Sequence, residues 1–491
     1  MTENQTELSL TSEQLSPVKV TERISVMDSL RGMALVGILM MNIEWFNRPV
    51  GKLGSFDPSL NGINYSASWF VRVFVEGKFY KLFALLFGMG FAVMLIRAQQ
   101  SSRPFVGMFI RRMSALFVFG MLHYIFLWDG DILHDYAFAG LLLLAWVQIT
   151  KTQRMSRFSQ PKSFLRLGLY ILIFPVVSMI VVGNIIGMSK DHNDRAQEWS
   201  ERVEIIALSK NLLEQKKLER KNNPTPSRDE INFLDEEETK EDVDTDAMNR
   251  EERVEYLANE RAEDKFEDFV DVEKEKDAIN NLSFWSSVEF RAALFPEALV
   301  DMIMFSLVML LPIFMLGYWL IASGVLNESK KHPYLFRSLA WVGTIIGLAI
   351  TTASLHIMQS PITKETIYIE AAALTSFGFA QYLVTAGYFG VVVCLYQSDR
   401  WQKIFQVFSP IGRMALTNYI MHTVILALIF YGYGAGMFGN ISRAPQMLIV
   451  ALIIISQLVI STLWLRYYRF GPLEWLWRCV TYKKIQPMKL S

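Results

Sequence analysis

One short stretch, LHYIFLWDGDILHDYA at residues 122–137, concentrates side chains that can exchange protons. These are His123, Asp129, Asp131, His134 and Asp135. An imidazole can act as a general base at neutral pH, and a neighbouring carboxylate can orient it. We therefore predict that His123 is a base and that Asp129 or Asp131 orients it or binds an acceptor hydroxyl. The structural alternative is that His123 bonds to a neighbouring helix while the aspartates cap the next one.

The elements that must position these residues are membrane helices. The chain has 491 residues, of which 52% are hydrophobic and 13% aromatic, and apolar runs recur along it. Runs of about 20 apolar residues span a bilayer as helices. The sequence therefore predicts an all-α, polytopic membrane helical bundle of about ten transmembrane helices. The predicted spans are 30–47, 79–97, 108–127, 136–150, 165–188, 297–322, 338–357, 372–396, 412–432 and 446–466, with an interfacial helix at 66–79.

Composition excludes several other classes of function. The formal net charge is zero, which argues against a nucleic-acid partner. Cys394 and Cys479 lie in or beside apolar segments, so we expect neither a disulfide framework nor a thiolate metal site. No nucleotide-binding or zinc-protease motif occurs. We expect no permanently bound cofactor and no metal.

Lysine and arginine in the short loops predict the orientation. Alternate loops are rich in these residues, so both termini should be cytoplasmic, and the turn DGDILHD, which has neither, should face outward. The predicted organisation is a disordered tail, five spans, a charged external insertion, five further spans and a second tail. Their ranges are 1–27, 28–189, 190–285, 286–480 and 481–491.

The insertion should contain two charged helices joined by an acidic linker. WSERVEIIALSKNLLEQKKLERK and EERVEYLANERAEDKFEDFV both have helical spacing of apolar residues, and NNPTPSRD breaks the pattern between them. The alternative is a poorly ordered insertion with no chemistry of its own.

Further polar residues fall within the predicted spans, where such groups are costly and often functional. Arg31 and Asn42 are eleven residues apart, so both should face one side of the first helix, with Arg31 placed to hold a phosphate. Lys78 opens the second span on the side that the charge rule disfavours. Asn418 and His422 either bond between helices or line a polar passage. His356 is interpreted as structural.

Five blocks of the chain resemble one known family. They are MDSLRGMALVGILMMNI, EGKFYKLFALLFGMGF, LHYIFLWDGDILHDYA, GRMALTNYIMH and WLRYYRFGPLEWLWRCVTYKKIQP. Their types and order resemble the YeiB family of bacterial inner-membrane proteins, whose carboxy-terminal half is a domain of unknown function. The resemblance covers about residues 23–488, the insertion excepted, and implies an inner-membrane location, so the insertion that the loop charges place outside would be periplasmic.

That family is in turn similar to transmembrane acyltransferases, which carry an acyl group from cytoplasmic acyl-CoA to an acceptor on the far side. The resemblance lies at Arg31 and Asn42, as in the heparan-type branch, whose proposed catalytic histidine follows in the first outer loop. Here the loop NRPVGKLGSFDPSLNGINYS has no histidine. We therefore expect His123 to supply the base.

The leading hypothesis is thus an acyltransferase that uses acetyl-CoA or another acyl-CoA as donor and a small molecule or glycan as acceptor. Phosphates would lie near Arg31, Arg111, Arg112 or Arg413, and Asn42 or Lys78 would stabilise the oxyanion. Asn418 and His422 would contact substrate. The alternatives are a permease lined by the same polar groups and a scaffold that works through the insertion. Acceptor and oligomeric state remain open.

Overall fold

The computed structural model describes residues 25–49, 60–189, 192–222, 244–360 and 367–490. Within them the chain is helical, and eight helices have the length and apolar composition needed to cross a membrane. Two shorter apolar helices, Leu133–Ile149 and Ala415–Phe430, accompany them. Each of the ten predicted spans falls on one of these helices, which confirms the all-α polytopic fold.

The α-helices are α1 Ser25–Asn47, α2 Gly62–Phe74, α3 Phe79–Gln100, α4 Val106–Phe126, α5 Leu133–Ile149, α6 Pro161–Ser189, α7 His192–Asn222, α8 Arg250–Asn280, α9 Phe284–Met304, α10 Leu311–Ala322, α11 Pro333–Ser338, α12 Thr344–Gln359, α13 Ile367–Leu395, α14 Asp399–Gln406, α15 Ser409–Arg413, α16 Ala415–Phe430, α17 Arg443–Tyr467 and α18 Pro472–Tyr482. Short 3₁₀ segments lie at Gln153–Phe158, Thr245–Ala247 and Ser329–Lys331. Two π-helical turns, Phe305–Leu310 and Leu339–Gly343, join α9 to α10 and α11 to α12.

Small residues let the central helices approach closely. Gly88 of α3 faces the backbone of Phe314 on α10, and Gly317 of α10 faces the backbone of Leu85 on α3. A Cβ at either glycine would overlap the facing backbone. Membrane helices associate through such contacts because lipid offers no hydrophobic driving force. The glycines of the second span therefore serve packing, and α3 runs unbroken through them.

The predicted interfacial segment 66–79 proves to be a helix and a turn. The helix α2 ends at Phe74, and Gly77 then adopts a φ of 77° that L side chains rarely take. Lys78 follows as the residue before α3. The chain therefore turns into the second span at this glycine.

The insertion forms two helices of 31 residues each, α7 and α8, as predicted. Glu201 bonds to Arg253, whereas Arg220 further along α7 pairs with Glu273 further along α8. The two helices therefore run side by side in the same direction. At the end of α8 the Ile279 carbonyl accepts the Gly432 N–H. The acidic linker at 223–243 and the amino-terminal tail before Ser25 lie outside the described residues.

Candidate functional site

Asp131 is the centre of a buried polar cluster between α4 and α5. His123 Nδ1 lies 2.8 Å from Asp131 Oδ1, and His134 Nδ1 lies 2.8 Å from Asp131 Oδ2. The side chains of His123 and Asp131 are 1% and 0% exposed. The structure therefore brings together three of the residues that the sequence singled out, and we name them the His–Asp cluster.

The local sequence explains this geometry. The helix α4 ends at Phe126 and α5 begins at Leu133, so Asp131 precedes the start of a helix. Its Oδ2 accepts the backbone N–H groups of Leu133 and His134, which have no partner within the helix. Gly120 of α4 faces the His134 backbone and the Asp131 carboxylate, where a Cβ would overlap both. The glycine therefore lets α4 lie directly against the cluster.

His123 also reaches across to α16. Its Nε2 lies 2.8 Å from Thr423 Oγ1, and its ring centroid lies 5.2 Å from that of Tyr419. An ionised carboxylate only accepts hydrogen bonds, so a neutral His123 directs its Nδ1 proton toward Asp131, without the alignment of a full hydrogen bond, and accepts at Nε2 from Thr423. This tautomer leaves Nε2 as the basic nitrogen.

The pKa values of the two aspartates in the turn shift in opposite directions. Burial alone would raise the pKa of Asp131, but the neighbouring His123 and His134 outweigh it and hold that pKa below its usual value. For Asp129, burial dominates and raises the pKa, although Arg291 opposes the shift. Asp131 is thus the ionised partner of His123, whereas Asp129 interacts with Arg291.

A cavity of about 240 Å³ opens on the opposite end of the bundle. Arginines line one part of it, and apolar and aromatic side chains line the rest. The charged lining residues are Arg31, Arg112, Arg413, Arg469, Arg478, Asp28 and Glu474. Five guanidinium groups face two carboxylates, so this part of the cavity attracts anions. We name it the arginine cavity.

The arginines are held by defined contacts. Arg31 bonds to Asp28 at 2.8 Å and retains 29% exposure, so it stands at the open mouth. The guanidinium of Arg112 lies 3.6 Å from the ring centroid of Trp477, whose Nε1 donates to the Arg112 carbonyl. Its neighbour Arg111 does not line the cavity but donates from Nε to the Thr481 carbonyl.

The helix α18 closes one wall of the cavity. Glu474, Trp477, Arg478 and Tyr482 line it, at spacings that place them on one face of the helix. Glu474 accepts the backbone N–H groups of Leu416 and Thr417 at the start of α16. Burial raises the pKa of Glu474, and these hydrogen bonds oppose the shift. The sequence analysis did not single out these residues, although their one-sided spacing in PLEWLWRCVTY could have indicated them.

The arginine cavity ends against the His–Asp cluster. Its inner wall includes Ile132, Leu133 and Tyr419, whereas His123 and Asp131 lie behind that wall. Asn42 is buried on α1, one turn beyond the lining residue Ile38, and does not line the cavity. Of the predicted residues, Arg31, Arg112 and Arg413 thus line the cavity, whereas His123 lies behind its inner wall.

This chain is similar to one described family and to full-length relatives from two bacteria. A family model described as a protein of unknown function, DUF418, matches residues 320–484. The uncharacterized protein YxaH of Bacillus subtilis (strain 168) is 30% identical over 482 residues, covering 96% of this chain and 98% of YxaH. The uncharacterized protein YeiB of Escherichia coli (strain K12) is 25% identical over 474 residues, covering 95% of this chain and 98% of YeiB.

The chain belongs to the YeiB-like family. None of the matched descriptions gives an activity. No solved structure matches this chain. The part that matches DUF418 includes α16 and α18, so this YeiB-like protein builds one wall of its arginine cavity from the family's carboxy-terminal domain.

Lys78 lies in a different part of this YeiB-like protein from the His–Asp cluster. It is fully buried, its Nζ donates to the Arg72 carbonyl, and it lies over the ring of Phe377. Nearby, Lys81 Nζ bonds to Gly77, Tyr80 and Gln381. These contacts tie α3 to α2 and α13.

Asn418 and His422 face α17 rather than α4. Asn418 Nδ2 donates to Ser461 Oγ, and His422 Nε2 lies 2.6 Å from Gln457 Oε1. Gln457 Nε2 in turn donates to the Asn418 carbonyl. Tyr419 and Thr423, which directly follow Asn418 and His422 in the sequence, face His123 instead. The helix thus uses one side for interhelical bonding and the adjacent side for the His–Asp cluster.

Proposed function

We propose that this YeiB-like protein is a transmembrane acyltransferase, which moves an acyl group from acyl-CoA at the cytoplasmic face to an acceptor at the other face. The observation that carries the proposal is the arrangement of the arginine cavity, whose inner end abuts the His–Asp cluster. The lysine and arginine distribution supports an inner-membrane orientation with the arginine end in the cytoplasm.

The arginine cavity suits the phosphates of a CoA donor. Guanidinium groups bind phosphates through paired hydrogen bonds, and Arg31, Arg112 and Arg413 converge on one volume. Arg469 and Arg478 add charge from the α18 side. Beyond the arginines the lining is apolar, which suits the pantetheine arm and acyl group.

In the chemical step, His123 Nε2 releases the Thr423 hydroxyl and binds the acceptor in its place. It takes the proton from an acceptor hydroxyl or amine while that oxygen or nitrogen attacks the thioester carbonyl carbon. The C–S bond then breaks, and the CoA thiolate takes the proton from the imidazolium. Asp131 orients the ring and stabilises its charged form. Asn42, buried one turn beyond the cavity lining, would act as a neutral donor toward the acceptor side, and the step requires Leu133 to move aside.

Thermal unfolding of the detergent-purified protein, with and without acetyl-CoA, tests the donor site. A ligand that binds the folded state raises its stability by mass action. The wild type and Arg111→Ala should both show an upward shift in Tm, whereas Arg31→Ala and Arg112→Ala should lose it. Each variant is compared with its own unliganded form, since Arg112→Ala also removes a packing contact. No shift in the wild type at millimolar acetyl-CoA would reject this donor.

A permease is the second candidate. A cavity that opens at one end and stops at a polar cluster also fits a carrier in one of its two states, and π-helical turns such as Phe305–Leu310 often mark functional sites. Ser306 in that turn donates to the Asp135 carbonyl beside the cluster. Solute flux into vesicles that does not depend on acyl-CoA would favour this function.

A further inference from the structure

We propose that Tyr419 is a catalytic residue, whose hydroxyl donates a hydrogen bond to the thioester carbonyl oxygen of the donor at the inner end of the arginine cavity. This inference rests on the proposed acyltransferase function. It adds a residue that the sequence analysis did not assign and specifies the chemical group that the inner end of the cavity recognises.

The first support is a buried hydroxyl with no partner. Tyr419 is 4% exposed, and its hydroxyl donates no hydrogen bond to any described residue, although the backbone N–H of Ile132 faces its oxygen. The other tyrosine of the inner lining, Tyr136, donates its hydroxyl to the Tyr80 carbonyl. Burying a hydroxyl without a partner is unfavourable, so an unbonded one that lines a cavity indicates an acceptor supplied by a ligand.

The second support is position. Tyr419 belongs to the cavity lining, and its ring is 5.2 Å from the ring of His123. Thr423, one turn further along α16, contacts His123 Nε2. Tyr419 therefore both lines the cavity and packs against His123, so a carbonyl bonded to its hydroxyl would lie close to the imidazole.

The third support comes from the other end of the cavity. Arg112 Nε is also buried without a hydrogen-bond partner among the described residues. Arg112 and His123 are separated by about 16 Å along α4. Two unused donors, one cationic and one neutral, indicate a ligand with an anionic end and a carbonyl end joined by an extended apolar segment. An acyl-CoA has this arrangement.

The role follows from the change in charge during transfer. Attack on the thioester turns the carbonyl oxygen into an oxyanion, and a fixed donor binds an oxyanion more strongly than a carbonyl. Loss of one such donor typically lowers kcat by about 100-fold or more. Tyr419→Phe should therefore lower kcat by about 100-fold and raise KM by a smaller factor, because the hydroxyl binds the ground-state carbonyl less strongly than the oxyanion.

Ligand binding provides a readout that is independent of turnover. Acetyl-CoA should bind wild type more tightly than S-ethyl-CoA, a thioether that lacks the carbonyl oxygen. Tyr419→Phe should remove this preference while it keeps the affinity for S-ethyl-CoA. Tyr136→Phe is the matched control in the same lining and should keep the preference. Unliganded Tyr419→Phe should unfold close to the wild-type temperature, because its hydroxyl donates no hydrogen bond, whereas Tyr136→Phe loses its bond to Tyr80 and should unfold at a lower temperature.

The outcomes separate the two proposals. If wild type binds neither CoA compound, the acyltransferase proposal fails, and the assignment of Tyr419 fails with it. If wild type prefers acetyl-CoA and Tyr419→Phe keeps both that preference and kcat, the acyltransferase proposal stands and only the role of Tyr419 is rejected. A lower unfolding temperature in Tyr419→Phe, with unchanged preference, would show that the hydroxyl is structural.

Discussion

His123 and Asp131 are eight residues apart in sequence, yet His123 Nδ1 and Asp131 Oδ1 lie only 2.8 Å apart in the folded chain. The turn between α4 and α5 brings the carboxylate back beneath the last turns of α4. Both side chains are almost completely buried, so their interaction is poorly screened by water. The predictions below follow from this pair and from the helices that hold it.

Replacement of His123 should abolish transfer. His123→Gln keeps a polar side chain that can still bond to Asp131 or Thr423, but an amide cannot take a proton. We expect a loss in kcat of about 100-fold or more. His422→Gln is the matched control, because His422 faces Gln457 on the α17 side. The assay is acyl transfer by protein whose folding is verified by thermal unfolding. Wild-type transfer by folded His123→Gln would reject His123 as the base.

Replacement of Asp131 should give a pH-dependent loss of stability. The pKa of Asp131 is lower in the folded protein than its usual value of about 3.9, so its charge stabilises the fold above that pH. This contribution is lost as the pH falls through the folded pKa. Asp131→Asn should therefore unfold at a lower temperature than wild type near neutral pH, and the difference should narrow below about pH 4. Unfolding temperatures measured in detergent across this range provide the test, and a gap that widens toward acid would contradict it.

Gly120 should tolerate no side chain. A Cβ there overlaps the His134 backbone and the Asp131 carboxylate, so Gly120→Ala should destabilise the protein by about 1–3 kcal/mol. Gly107 lies on the same helix, and a Cβ there would make only an ordinary contact with Arg111. Gly107→Ala should thus be neutral or stabilising, because alanine favours helix. Thermal unfolding of the two variants checks the prediction, and equal effects would show that the close approach of α4 is not required.

The α7–α8 pair should be dispensable for donor binding. Glu201 bonds to Arg253 and lies close to Arg250, and these partners outweigh burial and hold its pKa below the usual value. Glu201→Ala should loosen the two helices, which faster hydrogen exchange in α7 would report. The acetyl-CoA shift in Tm should remain. Loss of that shift would show that the insertion contributes to function, which is what the scaffold alternative predicts.

The sequence alone determined the helical fold and the local part of the site. Apolar runs of bilayer length leave a chain few options in lipid, because every backbone polar group must bond within a helix or barrel. The His–Asp cluster was foreseeable for a related reason: His123, Asp131 and His134 are joined by one short turn, so local geometry brings them together. The charged insertion likewise revealed its two helices through their periodicity.

Tertiary structure decided everything that depends on residues distant in sequence. Asp131 rather than Asp129 pairs with His123 because of the conformation of the turn between α4 and α5, and because Arg291 of α9 interacts with Asp129. Thr423, 300 residues from His123, became its partner only because α16 packs against α4. Arg478 of α18 joined Arg31 and Arg112 because Glu474 binds the start of α16. Periodicity shows which face of a helix is apolar, but the neighbour of that face is set by the packing of the whole bundle.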